Sequence, residues 1–314
     1  MYLAVVESVI KILEKAGFKV TDISETKPRC FDIAAKKDVI NLLIKALYNI
    51  DSLKAEMAEE MKILAKLLSS SPIVVGEKFK MNFLERGVVY NRYGLPVVNT
   101  ATFYDLIVEG IYPMVYSAPG GYYVKLDGKK IKEIRKKLGL SLGEVAKMLG
   151  VSRRLIKKYE EGMDASIENA IKLVEILGSF VIKSVNVFDF KIDEEIKERK
   201  VEFSKTEEKI IEQLKDIGVR VYPIKHAPFD VISKTEEESI LTGVKQVKEI
   251  EKRALILGRL SQVLDTKAAY IVDKKIKREV KSVVFLMKDE LETISSPKDF
   301  ISLLNEKAMV EKNI

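Results

Sequence analysis

Residues 139–162, GLSLGEVAKMLGVSRRLIKKYEEG, determine how the middle of the chain folds. Ser141 begins a Ser-x-x-Glu capping box, which predicts the start of a helix. Gly150 permits a sharp turn, and Ser152 is placed to cap another helix over Arg153–Glu160. A helix, a short turn that contains glycine and a further helix together predict a helix-turn-helix arrangement.

Further helices are predicted on both sides of this pair, over Lys129–Leu138 and over residues 166–177. Ile156 and Tyr159 are spaced so that they face the interior of the resulting four-helix bundle. The opposite face of the helix over Arg153–Glu160 carries four cations, placed where the major groove of DNA would lie. These cations are Arg153, Arg154, Lys157 and Lys158.

The positive charge of the chain is concentrated in this region. The 314 residues carry a net charge of +7, whereas residues 125–158 alone contain twelve Lys and Arg against three Asp and Glu. The rest of the chain therefore has a net charge of −2. A run of cations is often only a solvated helix face, but its coincidence with a helix-turn-helix pattern favours binding to DNA phosphates.

Residues 139–162 resemble the Cro-type phage-repressor helix-turn-helix family, with agreement at Ala146, the Gly150 turn, Ile156 and Tyr159. The resemblance implies a second helix that enters the major groove of double-stranded DNA, with base-contacting residues early in that helix. The matching positions are Arg153, Arg154 and Lys157, and the predicted DNA-binding set is completed by Ser152 and Lys158. Leu142 stands where family members often have a Gln that contacts the DNA backbone.

The chain on either side of this region contains two similar segments. Val9–Val20 and Lys209–Val221 each consist of an amphipathic helix, a glycine and a strand. FDIAAK at residues 31–36 matches FDVISK at residues 229–234, and a long helix and a strand follow in both segments. Since the matches keep their order, we predict an α/β module that is repeated on both sides of the DNA-binding domain.

The order of elements in each module is similar to the core of the PD-(D/E)xK nucleases, in which an Asp and an acid-x-Lys sequence hold a divalent metal ion. The resemblance makes Asp32 the first acid and Lys45 the lysine, but Leu43 replaces the second acid. A divalent cation needs several oxygen ligands, so cleavage is not expected unless a helix acid, Glu7 or Glu14, substitutes. We therefore predict no catalytic residue, metal or cofactor; a nuclease would have to use Asp32 and Lys45.

The second copy of the module departs further from that pattern. Its positions equivalent to the acid-x-Lys sequence are Leu241 and Gly243, so it lacks both the acid and the lysine. Asp230 is the equivalent of the first acid, and both of these Asp residues are interpreted as turn residues at strand ends. The Phe that precedes each of them is interpreted as a core residue.

The whole arrangement is similar to archaeal helix-turn-helix transcriptional regulators. The resemblance rests on a basic Cro-type region that follows an α/β module with FDIAAK and GLPVVN stretches, at residues 31–36 and 94–99. We therefore predict a multi-domain α/β chain with an all-α helix-turn-helix domain between two related modules. The predicted domains are 1–124, 125–180 and 205–314, with a linker or surface helix over 181–204.

The expected function is that of a sequence-specific regulator that binds double-stranded DNA as a homodimer, with recognition helices about 34 Å apart. A small-molecule or protein effector is left open, and the alternative is a metal-dependent nuclease. No apolar run is long enough for a membrane span and no signal peptide is recognisable, so a cytoplasmic protein without a membrane partner is expected. The single cysteine, Cys30, and the single histidine, His226, are too few for common zinc sites. His226 is interpreted as a surface or loop residue and not as a catalytic one.

Overall fold

A computed structural model describes residues 1–189, 201–245, 250–274, 276 and 280–310. The chain divides into two compact units. The first unit comprises Met1, Leu47–Ser52 and Ile73–Asp189, and the second comprises Tyr2–Ala46, Leu53–Pro72 and Phe190–Ile314. Each helix in the described ranges is too short or too polar to span a lipid bilayer. The domain boundaries expected from the sequence stay a prediction.

The N-terminal part of the second unit is built on an amphipathic helix that buries Val9 and Leu13. Three antiparallel strands follow it, and Ala35 lies opposite Leu42 in the hairpin of the last two. The elements along residues 2–67 are α1 (Tyr2–Lys15), β1 (Lys19–Asp22), β2 (Ile33–Lys37), β3 (Ile40–Asn49), a 3-10 turn (Ile50–Ser52) and α2 (Ala55–Leu67). The end of β3 and the 3-10 turn, at Leu47–Ser52, belong to the first unit.

The first unit contains a mixed sheet. Its elements before the bundle are β4 (Ser71–Phe79), β5 (Asn82–Phe83), β6 (Val88–Arg92), β7 (Leu95–Val98), α3 (Thr100–Ile107), β8 (Val115–Ala118) and β9 (Gly121–Leu126). Strands β4 and β7 are parallel, as are β6 and β8, whereas β6 pairs antiparallel with β7 and β8 with β9. Asn99 caps α3 by accepting a hydrogen bond from the backbone N–H of Thr102 at 2.8 Å.

The predicted four-helix bundle follows β9 in the first unit. Its elements are α4 (Gly128–Lys137), α5 (Leu142–Leu149), α6 (Arg153–Glu160), β10 (Ala165–Ser166), α7 (Ile167–Leu177), a 3-10 turn (Ser179–Val181) and β11 (Ile182–Lys183). Strands β10 and β11 both pair with β9, so the bundle is joined to the sheet by hydrogen bonds. Residues 190–200 lie outside the described residues, and the linker or surface helix over 181–204 stays a prediction.

The C-terminal part of the second unit repeats the order of the N-terminal part. Its elements are α8 (Lys205–Asp216), β12 (Arg220–Pro223), β13 (Val231–Lys234), β14 (Ser239–Gly243), α9 (Ile250–Leu264), β15 (Lys267–Val272), β16 (Val284–Met287), α10 (Lys288–Leu291) and α11 (Pro297–Val310). The sheet order is β12-β13-β14-β15-β16, antiparallel up to β14 and parallel beyond it. Phe300 and Leu214 lie in a core on which α8 and α11 pack.

The two hairpins of the second unit have the same register. Ala35 lies opposite Leu42 in β2-β3, and Ser233 lies opposite Ile240 in β13-β14, which is an offset of 198 residues for both partners. An equal offset relates two loop hydrogen bonds, from Asp32 N–H to a carbonyl at 2.8 Å and from Asp230 N–H to a carbonyl at 3.0 Å. The fold class, a helix-turn-helix domain between two related α/β modules, is confirmed.

Candidate nucleic-acid interface

Local contacts define the start of α5, the turn after it and the start of α6. Ser141 accepts from the backbone N–H of Glu144 at 3.2 Å, and the Glu144 carboxylate accepts from the N–H of Ser141 at 2.7 Å, which completes the predicted capping box. Gly150 has a φ of 75°, in the left-handed region that glycine adopts without strain. Ser152 then caps α6 by accepting from Leu155 N–H at 3.2 Å.

The interior of the bundle holds the apolar face of α6. Ile156 and Tyr159 are buried, as predicted, and pack with Val145 of α5 in one hydrophobic core. The Tyr159 hydroxyl accepts a hydrogen bond from the side-chain amide of Asn169 at 3.0 Å, which ties α6 to α7. Burial raises the pKa of Tyr159 above its usual value. The core therefore leaves α6 one orientation, with its polar face outward.

A buried ion pair joins α4 to the end of α6. Arg135 Nε lies 2.5 Å from Glu160 Oε1, and the same guanidinium donates to the Leu140 carbonyl at 2.8 Å. Both side chains of the pair are about nine-tenths buried. Arg135 therefore belongs to the scaffold and not to the basic surface, although the sequence counts it within the basic segment.

The outward face of α6 carries the four predicted cations, all of them exposed: Arg153, Arg154, Lys157 and Lys158. Lys157 Nζ lies 3.8 Å from Glu161, in a pair in which both side chains are more than half exposed. Within the described residues, Arg153, Arg154 and Lys158 form no salt bridge. The face is therefore available to an anionic partner, and an exposed pair such as Lys157–Glu161 is easily exchanged for one.

Ser152 is the N-cap residue of α6. Its hydroxyl oxygen accepts from Leu155 N–H, while its proton stays available to donate, because a hydroxyl is both a donor and an acceptor. Ser152 is exposed and directly precedes Arg153. The structure thus brings Ser152 and the four cations to one exposed helix and its N-terminal end, and their contact with DNA stays a prediction.

Asp32, the remnant acid of the nuclease-like module, is fully buried within a cluster of protein donors. Lys45 Nζ lies 3.1 Å and Arg29 Nε 2.5 Å from its Oδ1, and the backbone N–H of Ala46 donates to Oδ2 at 2.9 Å. The Tyr2 hydroxyl also donates to Oδ1, and its pKa is raised to about 12 by burial and by the negative charge of Asp32. Asp32 and Lys45 are therefore in contact, and a role for them in cleavage stays a prediction.

This cluster does not fit a divalent metal ion. Both oxygens of Asp32 already accept hydrogen bonds, and Arg29 and Lys45 supply the positive charge that a metal would bring. Glu7 and Glu14, the acids that the alternative required, are exposed on α1. Among the described residues, no three His, Cys, Asp or Glu side chains are grouped to hold a metal. A hard cation lacks its oxygen ligands here.

Asp230 is the counterpart of Asp32 in the second module, and it too is buried. Its Oδ2 accepts from the backbone N–H groups of Val244 and Lys245 at 2.9 and 3.0 Å. Arg253 Nη2 lies 2.7 Å from Oδ1. Both Asp residues thus accept backbone hydrogen bonds at the end of a hairpin, and cations balance their charges. This agrees with a structural interpretation, although the two side chains are buried and do not lie in simple surface turns.

His226 lies in a loop, which is one of the two positions expected for it, but its side chain is buried and not on the surface. The buried carboxylate of Glu60 accepts from the backbone N–H of His226 at 3.0 Å and contacts its Nδ1. The His226 carbonyl accepts from Cys30 N–H at 2.7 Å. These contacts hold the loop inside the second unit.

The buried scaffold and the exposed basic face of α6 together define a DNA-binding protein of the helix-turn-helix class. Residues 131–179 match the family model described as helix-turn-helix, of the Cro/CI type, and residues 3–113 match the PD-(D/E)XK superfamily domain. The resemblance of the middle region to the helix-turn-helix family and that of the N-terminal module to the PD-(D/E)XK superfamily are therefore confirmed. No solved structure matches the chain.

Similar proteins come from archaea and share the name "Putative HTH-type transcriptional regulatory protein". The protein of Archaeoglobus fulgidus is 62% identical, over 99% of this chain and 100% of its own length. Those of Methanococcoides burtonii and Methanoculleus marisnigri are 39% and 35% identical, over 98% and 96% of this chain and 98% of each relative. The chain belongs to this archaeal family of HTH-type transcriptional regulatory proteins.

Proposed function

We propose that this regulator recognises specific double-stranded DNA sequences by placing α6 in the major groove. The observation that carries the proposal is the exposure of four cations on one face of a helix whose other face is locked into the bundle. Arginine reads guanine by two hydrogen bonds in the major groove, so Arg153 and Arg154 are assigned to bases. Lys157 and Lys158 lie one turn further along and are assigned to phosphates, although the resemblance to the Cro-type family places Lys157 among the base-contacting positions.

The spacing of the four cations supports an anionic partner. Arg153 and Lys157 are four residues apart, and so are Arg154 and Lys158, which places like charges side by side along the helix. Each such pair destabilises a free helix by about 0.2–0.5 kcal/mol. The phosphates of a DNA backbone would remove this repulsion, because they supply counter-charges along the whole face.

A homodimer is the assembly that suits DNA recognition by a single short helix, α6. One α6 of eight residues reaches only a few base pairs, and pairing two copies doubles the recognised length. The two half-sites would then lie about 34 Å apart on a near-palindromic operator. We assign the protein to the cytoplasm, because that is where an archaeal regulator meets DNA. Sedimentation of the free protein and of its DNA complex measures the stoichiometry.

The test of the proposal is selection of duplexes from a random pool, followed by affinity measurements on the enriched site. We expect a two-fold symmetric motif and a loss of about 1–3 kcal/mol for each base-reading arginine in Arg153→Ala and Arg154→Ala. Lys172→Ala, which removes an exposed cation of α7 paired with Glu168, is the matched control. An unenriched pool, or a double arginine variant that still prefers the site, contradicts the proposal.

Nuclease activity is the rival function, and we infer that the module does not supply it. The inference is supported by Arg29 and Lys45, which already balance the charge of Asp32, and by the lack of a grouped set of metal ligands among the described residues. Its test is incubation of supercoiled plasmid with the wild-type chain in Mg²⁺ or Mn²⁺, next to Asp32→Ala. Cutting by the wild type that disappears in Asp32→Ala would reverse this inference and leave the DNA-binding proposal intact.

A further inference from the structure

A cavity of about 920 Å³ lies in the first unit, along β6 and β8. This volume is at the upper end of the range of about 300–1,000 Å³ that small-molecule sites occupy. Five aromatic side chains line it: Phe79, Phe83, Tyr90, Tyr116 and Tyr122. Among its described lining residues, Arg92 is the one that carries a charge. The wall thus combines flat aromatic rings with one lining cation, while the ammonium groups of Lys78 and Lys80 lie 4.3 and 5.4 Å from the ring centres of Phe83 and Phe79.

Arg92 is incompletely satisfied by its protein neighbours. Its Nη2 lies 3.3 Å from an oxygen of Asp51, but its Nε is buried without an acceptor among the described residues. The guanidinium carbon lies 4.7 Å from the ring centre of Tyr93 and 5.8 Å from that of Phe79. A buried donor that lacks an acceptor costs about 1–3 kcal/mol, so an anionic ligand at Arg92 would recover free energy.

The aromatic wall offers surfaces on which a planar ring can stack. Phe83 leaves 65% of its surface exposed, with the ammonium of Lys78 4.3 Å from its ring centre. Tyr90 and Tyr122 meet edge to face at 6.3 Å, and their hydroxyls are 3.3 Å apart. Stacking of a nucleobase on such a side chain contributes about 1–3 kcal/mol.

We propose that this cavity binds a free mononucleotide, with the base against the aromatic wall and the phosphate at Arg92. The mononucleotide has three properties that suit the cavity, namely a planar aromatic ring, one anionic group and a size that a volume of about 920 Å³ accommodates. Arginine suits the phosphate because its planar fork presents two parallel donors. The cavity is in the first unit and includes no residue of α6.

A strand of nucleic acid is disfavoured as the occupant. The Glu85 carboxylate accepts from the Tyr122 hydroxyl at 2.9 Å, so it lies next to the aromatic wall. Asp51 flanks Arg92. A strand brings a phosphate with every nucleotide and would place several of them near these carboxylates, whereas grooves for single strands are lined by many cations. A single phosphate at Arg92 has only one of these carboxylates, Asp51, as a neighbour, and the positive charge of Arg92 offsets that repulsion.

A hydrogen bond connects the cavity wall to the bundle. Tyr116, which lines the cavity, donates to Asp164 Oδ2 at 2.7 Å, and Asp164 lies between α6 and α7. Strand β8 also pairs with β9, which pairs with β10 at Ser166, the N-cap of α7. A ligand that displaces Tyr116 would act on this junction. We therefore expect bound nucleotide to change the affinity for DNA, a consequence that rests on the proposed function.

The experiment is calorimetric titration of the full chain, without DNA, using AMP, GMP, CMP and UMP. Adenosine tests the ring without the phosphate, and ribose 5-phosphate tests the phosphate without the ring. We expect at least one mononucleotide to bind with a Kd of about 0.1 mM or tighter, and roughly tenfold tighter than either fragment. Because DNA is absent, failure of the DNA-binding proposal leaves this result unaffected.

Two variants locate the site. Arg92→Gln should remove the advantage of AMP over adenosine, and Phe83→Leu should weaken both roughly tenfold, since it removes a stacking surface. Phe83 is mostly exposed, so its variant tests the site even where Arg92→Gln lowers stability. Arg86→Gln is the matched control, since Arg86 is an exposed arginine of the same unit that pairs with Asp105 outside the cavity lining.

Three results would overturn the proposal. The first is that none of the four mononucleotides binds more tightly than about 1 mM. The second is binding that both Arg92→Gln and Phe83→Leu leave unchanged. The third is binding of a single-stranded oligonucleotide, lost in Phe83→Leu, by a chain that ignores mononucleotides. Nucleotide binding that leaves the affinity for the selected operator unchanged would overturn the coupling through Tyr116.

Discussion

The salt dependence of DNA binding gives the sharpest test of the α6 assignment. Each phosphate contact contributes about 0.9 to the slope of log K against log salt, because each contact releases counterions. A homodimer presents every lysine twice, so Lys158→Ala should lower the magnitude of the slope by about 1.8, and Lys157→Ala,Lys158→Ala by about 3.6. Lys157 contributes fully, since its pair with Glu161 is exposed and 3.8 Å long.

The consequence is large enough to measure by fluorescence anisotropy of a labelled operator. Between about 50 and 200 mM KCl, a slope difference of roughly 1.8 means that the wild type loses about tenfold more affinity than Lys158→Ala. Lys172→Ala should keep the wild-type slope, because α7 carries this cation away from the predicted face. A double lysine variant with an unchanged slope would refute the assignment of this face to phosphates.

The remaining predictions concern the scaffold. Arg135→Ala should lower the free energy of unfolding of the bundle by about 3–5 kcal/mol, because it leaves buried Glu160 unpaired, and urea denaturation measures the loss. Gly128→Ala should cost about 1–3 kcal/mol in the same assay, since its Cβ would lie 2.5 Å from the Glu160 carbonyl oxygen; an unchanged midpoint would contradict this. Asp32→Ala should lower the melting temperature, because it leaves the buried charge of Lys45 without a counter-charge. Asp22→Ala, at an exposed position, should leave the melting temperature unchanged.

The bundle is predictable from sequence because its signals are local. Ser141 and Glu144 are three residues apart, Gly150 marks the turn, and the boundaries Arg153–Glu160 agree with the structure. Within one helix, a period of 3.6 separates buried Ile156 from exposed cations without any knowledge of distant residues. The repeat was equally accessible, because it compares two stretches of the same chain.

The surroundings of Asp32 were not predictable in this way. Arg29 lies three residues before Asp32 and could have been suggested by proximity, but Tyr2 reaches it from 30 residues away. The burial of His226 likewise depends on Glu60, 166 residues earlier in the sequence. Neither contact leaves a periodic or spaced pattern, because the partners meet only after the elements have packed.

The two buried aspartates limit how far the two modules can replace each other. The carboxylates occupy equivalent positions, but the cations beside them do not: Lys45 aligns with Gly243, and Arg253 comes from a helix that follows its hairpin. The same buried charge is thus balanced differently in the two modules. Grafting β13-β14 onto the first module would bring Asp230 without Arg253, whereas β2-β3 carries Lys45 together with Asp32, so the two hairpins are not interchangeable.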